Sequence, residues 1–490
     1  MKKAIVIGAG YGGIAAALRL RAKGYDVEII DQCSALGGRA QVYEVDGFKH
    51  DAGPTVLTAP FLFEELFTLF GKDISDYVEI VPLETWYQFF FPDGKTFNYG
   101  GSLEATLKEI EKFEPEDKQN YLRLLEQSKA IYKIGFEDLA DEPFHKFSKM
   151  LGVLPDLIRL KSTDTVWGLV SSYLKSPYMQ QAFSVQSLLV GGNPFDTTSI
   201  YSLIHYLERE WGVHFAMGGT GALTKGFERL IKEEGIRVSL NQSVEKIDIQ
   251  DGKAVGVKLK NGNQKPADII VSNADGAYLY SSMISKKDQS VAARLKTKYA
   301  KFSMGLYVLY FGTTKQYPEV EHHTIWLGKR YKELLHDIFH KKILADDFSL
   351  YLHRPTATDP SFAPDGCDSF YVLAPVPNLQ GNIDWETEGP KLRDKIVKAL
   401  GDTILPDLEN TITAEFFKTP EDFKDDYSSV HGAGFSIAPY LTQSAWFRYH
   451  NKAEGVKNLY LVGAGTHPGA GLPGVVCSAK VIDNLIPKVL

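Results

Sequence analysis

Short, nearly continuous apolar runs at residues 4–7, 27–30 and 269–272 have the pattern of strands buried on both faces. Between the first two, residues 14–23 are helix formers, and Gly24 is a natural stop. "AIVIGAGYGGIAAALRLRAKGYDVEIID" therefore reads as strand, glycine turn, helix and strand, with Asp31 at the end. "GALTKGFERLIKEEGIRVSLNQSVEKIDI" reads as a helix to Glu234, a stop at Gly235, a strand to Leu240 and another from Val244. Hairpin strands follow, with turns at Asp251-Gly252 and Asn261-Gly262. Residues 302–311, 349–353 and 370–374 have strand character, and about 102–210 is mostly helical. Near the end, a strand at 459–462 leads through "GAGTHPGAGLPGVV" into a helix at 475–485.

The first unit carries GxGxxG at Gly8, Gly10 and Gly13. Gly8 suits a tight turn, Gly10 a close approach to a pyrophosphate, and Gly13 close helix–strand packing. The helix N-terminus offers free N–H groups to phosphates, and Asp31 can accept from ribose hydroxyls. These parts in this order predict a bound dinucleotide. "LGGRA", with Gly38 and Arg39, then resembles the FAD pattern of the amine oxidase and carotenoid desaturase superfamily, which places Arg39 near the pyrophosphate. "DAGPT", with Gly53, is a second glycine turn that can lie along FAD. In related flavoenzymes the position of Val244 meets the adenine through its backbone. The late glycine stretch superficially repeats GxG, but Pro468 holds the third position and no second βαβ unit follows. It reads as the far end of one FAD site, with no site for NAD. Gly463 and Gly465 would pass the ribityl chain and pyrophosphate. Gly474 and Val475 would lie beside the flavin ring, where a helix start favours negative charge.

Composition narrows the classes. With 490 residues the chain has room for two or three domains, and its net charge of -7 argues against a nucleic-acid partner. Cys33, Cys367 and Cys477 give neither a disulfide framework nor metal spacing, which suits a reducing cytosol. Lys2 and Lys3 before an apolar stretch imitate a signal peptide, but glycines 8, 10, 12 and 13 interrupt it, and none is expected. No stretch reaches the ~20 continuous apolar residues of a membrane span.

From end to end the chain resembles the bacterial-type phytoene desaturases, in the carotenoid desaturase branch of the FAD-dependent amine oxidoreductases. "IGAGYGGIAAALRL", "GGRAQVYE", "FSVQSLLVGGNPF", "LEREWGV", "DFSLYLHRP", "YVLAPVPN" and "NLYLVGAGTHPGAGLPGVV" carry the resemblance. Asp31 departs from it slightly, since glutamate is commoner there. The resemblance implies an α/β fold: a Rossmann-like FAD domain from segments 1–101, 221–290 and 431–490, a helical, membrane-facing domain at 102–220, and an α+β substrate sheet at 291–430. It implies desaturation of phytoene or a related linear carotenoid, with a carotenoid isomerase, a desaturase of a thirty-carbon analogue and an amine oxidase as alternatives.

The chemistry is hydride loss to flavin from one carbon and proton loss from its neighbour. No proton acceptor is assigned. Glu208 and Arg209 stand among aromatics, and either could reach the site or form a structural ion pair. His467 could act chemically or bond backbone. Residues 144–161 alternate apolar side chains with Lys146, Lys149, Arg159 and Lys161 at helical spacing, the composition of an interfacial helix or of a core helix with a solvated basic face, and Pro155 should kink or split it. The expectation is a peripheral protein on the cytoplasmic face of the cell membrane, drawing substrate from lipid and passing electrons to a quinone or dioxygen. "FLFEELFTLF" reads as core.

Overall fold

The computed structural model describes residues 2–489. Lys3–Ile7 pairs in parallel with Asp26–Ile30 and with Ile269–Ser272. Arg237–Ser239 and Leu459–Leu461 extend this to a five-stranded sheet, parallel throughout. Its strands come from three separate stretches of the chain, so the domain is discontinuous. Helices cover the sheet, which is why its strands lack polar alternation. Tyr11–Ala22 packs against Leu472–Leu485, and its first ten residues are all buried, so the signal-like stretch is core. Phe61–Thr68, from "FLFEELFTLF", also buries its apolar face. The hairpins at Val244–Gln250, Lys253–Leu259 and Gln264–Pro266 form a separate antiparallel sheet.

The substrate sheet has seven strands, in the order Ile412–Lys418, Gly305–Thr313, Asp368–Val376, Leu350–His353, His323–Trp326, Thr85–Phe90 and Thr96–Gly100. All nine positions of Gly305–Thr313 are buried, because both faces are covered. Tyr307, Leu309 and Phe311 pack on the helix Trp385–Gly401. Leu306, Val308 and Tyr310 face the opposite way, among residues of the helical region. This period of two puts one wall of the functional cavity on alternate residues.

Two segments depart from the expected boundaries. Thr85–Phe90 and Thr96–Gly100 lie within the stretch assigned to the FAD domain, yet they complete the substrate sheet through Gln88 beside Thr324. Val213–Ala216, within the stretch read as helical, is a strand between Leu57–Thr58 and Ile80–Pro82. The late helix begins at Leu472 rather than 475, since Pro473 falls in its first turn, where no N–H is needed.

Candidate functional site

One cavity of about 570 Å³ runs between the parallel sheet, the substrate sheet and the helical region. Gly8, Gly10, Asp31, Gly38, Arg39, Gly53, Val244, Gly463, Gly465, Gly474 and Val475 all line it. Gly13, the remaining predicted cofactor residue, does not. A Cβ there would overlap the Gly8 carbonyl, so this glycine closes the turn against the helix and never faces a ligand. Gly53 lines the cavity but has a structural reason as well, since its Cβ would overlap the Arg39 carbonyl.

Asp31 has two structural bonds beside any ribose contact. Its Oδ2 accepts from the Ala9 amide at 2.5 Å and its Oδ1 from Cys33 N at 2.7 Å, which ties the glycine turn to the second strand. Arg39 sits in the short 3-10 turn Gly38–Ala40 and reaches Ser429 Oγ at 3.4 Å, leaving most of its fork for an anion. Sequence reasoning missed Asn273. Its side chain lies under the first glycine turn, and at Gly463, with φ of +94°, a Cβ would stand 2.5 Å from its Oδ1. Asn273 thus joins the two glycine stretches from opposite ends of the chain. Its place after a buried strand, in "IIVSNAD", is the signal that could have found it.

A cradle of backbone too close for side chains, an arginine and a helix start are what a dinucleotide diphosphate requires, so these residues fit FAD. The cavity continues past the Gly469–Val475 loop into an apolar chamber, lined by Leu188, Leu189, Ile204, Leu306 and Val308 among others. Glu208 faces this chamber from the helix Leu203–Trp211. Of the lining carboxylates among the described residues, Asp31, Asp275 and Asp426 belong to the glycine-lined end, and Glu208 alone stands among the hydrocarbon side chains. It is 1% exposed and accepts from Tyr87 Oη at 2.8 Å and Gln186 Nε2 at 2.6 Å. Burial pushes its carboxyl up to about 8, and the Tyr87 hydrogen bond offsets part of that rise.

Arg209 is not its ion-pair partner. It turns outward over the Trp86 ring and donates to the Gly101 carbonyl and Thr106 Oγ1. His467 packs at a tilt against Phe144 and its Nε2 lies 2.8 Å from the Leu139 carbonyl, and burial lowers its pKa to about 4. A neutral imidazole donating there fastens the flavin-side loop to the segment that enters the helix Phe147–Arg159.

That helix stays whole despite Pro155. Met150, Val153 and Leu157 turn inward and line the cavity, while Phe147, Leu151, Leu154 and Ile158 are exposed. Lys149 pairs with Glu142 and Arg159 with Asp156, so among the described residues Lys146 and Lys161 are the members of the expected basic set without an ion pair. A second exposed stripe, Val291, Leu295 and Tyr299 on the helix Val291–Tyr299, was not anticipated. The two helices flank Trp446, which meets the Phe147 ring at 4.9 Å and accepts from Lys296 Nζ through its carbonyl, and exposed Phe447 follows it. Among the described residues no helix is long and apolar enough to cross a membrane.

Comparison with known proteins agrees with this site. The model of the flavin containing amine oxidoreductase family matches residues 11–481. The chain is 46% identical over 99% of both chains to a phytoene desaturase (lycopene-forming) of Pantoea ananas, and 47% identical, again over 99% of both, to one of Pseudescherichia vulneris. The crystal structure of an oxidoreductase from Methanosarcina mazei shares the fold, with a TM-score of 0.68 at 16% identity over 98% of this chain and 100% of the other. The chain therefore belongs to the flavin containing amine oxidoreductases and, within them, to the bacterial-type phytoene desaturases.

Proposed function

We propose that the protein catalyses the FAD-dependent desaturation of phytoene to lycopene in carotenoid biosynthesis. The observation that carries this reading is a single cavity whose one end is a glycine-lined cofactor groove and whose other end is a hydrocarbon chamber with one carboxylate. The identity to lycopene-forming relatives supports it. FAD, when bound, supplies the two-electron acceptor for a hydride leaving an allylic carbon. The chamber walls, Leu188, Leu189, Leu306 and Val308 among them, hold a chain with no polar handle by contact alone and exclude water from the developing cation. Glu208 Oε1 or Oε2 takes the proton from the neighbouring carbon, so two C–H bonds break and one C=C bond forms. The test is production of the protein with a phytoene source, reading products by absorption and mass. Loss of hydrogen with new conjugation supports a desaturase. Unchanged mass would point instead to an isomerase.

Glu208→Gln keeps the size and one hydrogen-bond acceptor but cannot take a proton. We expect turnover to fall about 100-fold, the lower end of general-base effects, with FAD content unchanged. Wild-type turnover should rise with pH and level off above about 8, where the carboxylate predominates. Because the folded pKa is raised, the stability Glu208 contributes is full below the unfolded carboxylate range and is lost as pH rises through about 8. Glu208→Gln should flatten that stability loss as well as the rate profile. A variant that keeps wild-type turnover removes Glu208 from the chemistry.

The exposed apolar residues of helices Phe147–Arg159 and Val291–Tyr299, with Phe447 between them, support peripheral binding to the cytoplasmic face of the membrane. Exposed Lys146, Lys161, Arg294 and Lys298 suit anionic headgroups. Because Met150, Val153 and Leu157 line the cavity from the same helix, a hydrocarbon can pass from lipid to chamber along it. A quinone in the same bilayer then takes the electrons, with dioxygen as the alternative. Desaturation in anaerobic liposomes that depends on added lipid quinone supports the first.

A further inference from the structure

Behind the cavity wall, His322, His323 and His353 bring their rings together. His323 and His353 are directly opposed on antiparallel strands, and His322 precedes them. The ring centroids stand 4.6 to 5.4 Å apart, and all three side chains are buried. One ligand nitrogen from each can be chosen so that the set lies within 4.8 Å. Cysteine spacing gave no sign of a metal, and His353 lies thirty residues beyond the adjacent pair His322 and His323, so the cluster exists only in the fold.

His322 and His323 each have one nitrogen bonded to an oxygen and one with nothing. His322 Nδ1 meets Thr358 Oγ1 at 2.7 Å, and His323 Nδ1 meets Tyr351 Oη at 2.7 Å. His353 Nε2 stands 3.5 Å from Asp51 Oδ2. That leaves His322 Nε2, His323 Nε2 and both His353 nitrogens buried without a hydrogen-bond partner among the described residues. Metal-binding imidazoles have this arrangement, in which an outer oxygen fixes the ring and tautomer while the other nitrogen takes the ion. Buried imidazole nitrogens without a partner otherwise cost free energy with no return.

We propose that His322, His323 and His353 bind a divalent first-row transition ion, with zinc the best fit to three imidazoles. The Zn–N distance of ~2.0–2.1 Å requires the rings to draw closer on binding. Asp51, buried and beside His353, supplies the compensating charge; its Oδ1 is already occupied by the Thr220 amide and hydroxyl. The ion would tie the strands His323–Trp326 and Leu350–His353 to Asp51, the end of Phe48–Asp51, whose following "AGPT" lines the cofactor groove. It would also fix Tyr351, a cavity residue, through His323 and Thr55.

The test uses FAD-loaded protein purified without a polyhistidine tag or chelator. Elemental analysis should find about one zinc, or another first-row divalent ion, per chain. His353→Ala and His323→Gln should each lose the ion while keeping FAD, and chelation should lower the Tm of the wild type but not of the variants. If the variants fail to fold, dialysis of the wild type against Co²⁺ decides, since imidazole-bound cobalt has visible d–d absorption. Metal below about a tenth of an equivalent, with no cobalt spectrum after dialysis, overturns the proposal, as does metal retained in full by both variants.

Discussion

Gly10→Val should give a folded, colourless protein. Gly10 caps the helix Tyr11–Ala22 with φ of −69° and ψ of 169°, an extended conformation open to any residue. A Cβ there would meet Asn273 Nδ2 at 3.0 Å and the Gly37 carbonyl at 3.9 Å, so the protein itself leaves nearly enough room. What excludes a side chain is the groove in front, where the diphosphate of FAD must approach the backbone. Gly13 is the useful contrast. Its Cβ would overlap the Gly8 carbonyl with or without cofactor, so Gly13→Ala should unfold the turn and give little soluble protein. Gly10→Val should keep the circular dichroism of the wild type and lose at least about 10³-fold in FAD affinity, equivalent to ~4 kcal/mol. Flavin absorbance after purification and titration with FAD measure it. A yellow Gly10→Val protein with one FAD per chain would sink the assignment of this groove.

The difference between those two glycines was legible in the sequence, and the reason is locality. The βαβ unit, its stop at Gly24 and the hairpins with Asp-Gly and Asn-Gly turns are each specified within about thirty residues. The periodicity at 302–311 showed a strand, and its alternation is what separates cavity-facing Leu306 and Val308 from Tyr307 and Leu309. Pairing was not legible. Nothing near Gln88 says that its neighbour is Thr324, and residues 85–100 fell within the segment assigned to the FAD domain. Asn273 and the three histidines were invisible for the same reason, since each acts only where distant segments meet. Arg209 shows a second limit. Charge beside charge in "LEREW" suggested a pair, but adjacent helical residues point apart, and the arginine stacks on Trp86 while the glutamate faces the chamber.

Changing Leu151, Leu154 and Ile158 together to aspartate should detach the protein from liposomes without touching its chemistry. The amphipathic pattern at 144–161 fitted a core helix as well as an interfacial one. The structure gives the helix both faces, one on the cavity and one bare. Leu157 belongs to the first and lines the cavity, so it is left intact in this test. The three chosen residues are 54%, 43% and 64% exposed, so aspartate there forfeits little packing in the folded protein. In the interface each apolar side chain contributes up to ~1.5–3 kcal/mol when fully buried. Insertion of about half of each, summed over three, gives ~4 kcal/mol, and the new negative charges add repulsion from anionic lipid. Membrane partition should therefore drop about 10³-fold. FAD content and the turnover of detergent-dispersed phytoene should stay at wild-type levels, while turnover of liposomal phytoene collapses. Co-sedimentation with anionic liposomes and the two assays read this directly. If the triple variant pellets like the wild type, helix Phe147–Arg159 is not the lipid contact, and Val291, Leu295 and Tyr299 become the face to change next. If it stays in solution yet desaturates liposomal substrate at the full rate, the route for the hydrocarbon along this helix is wrong.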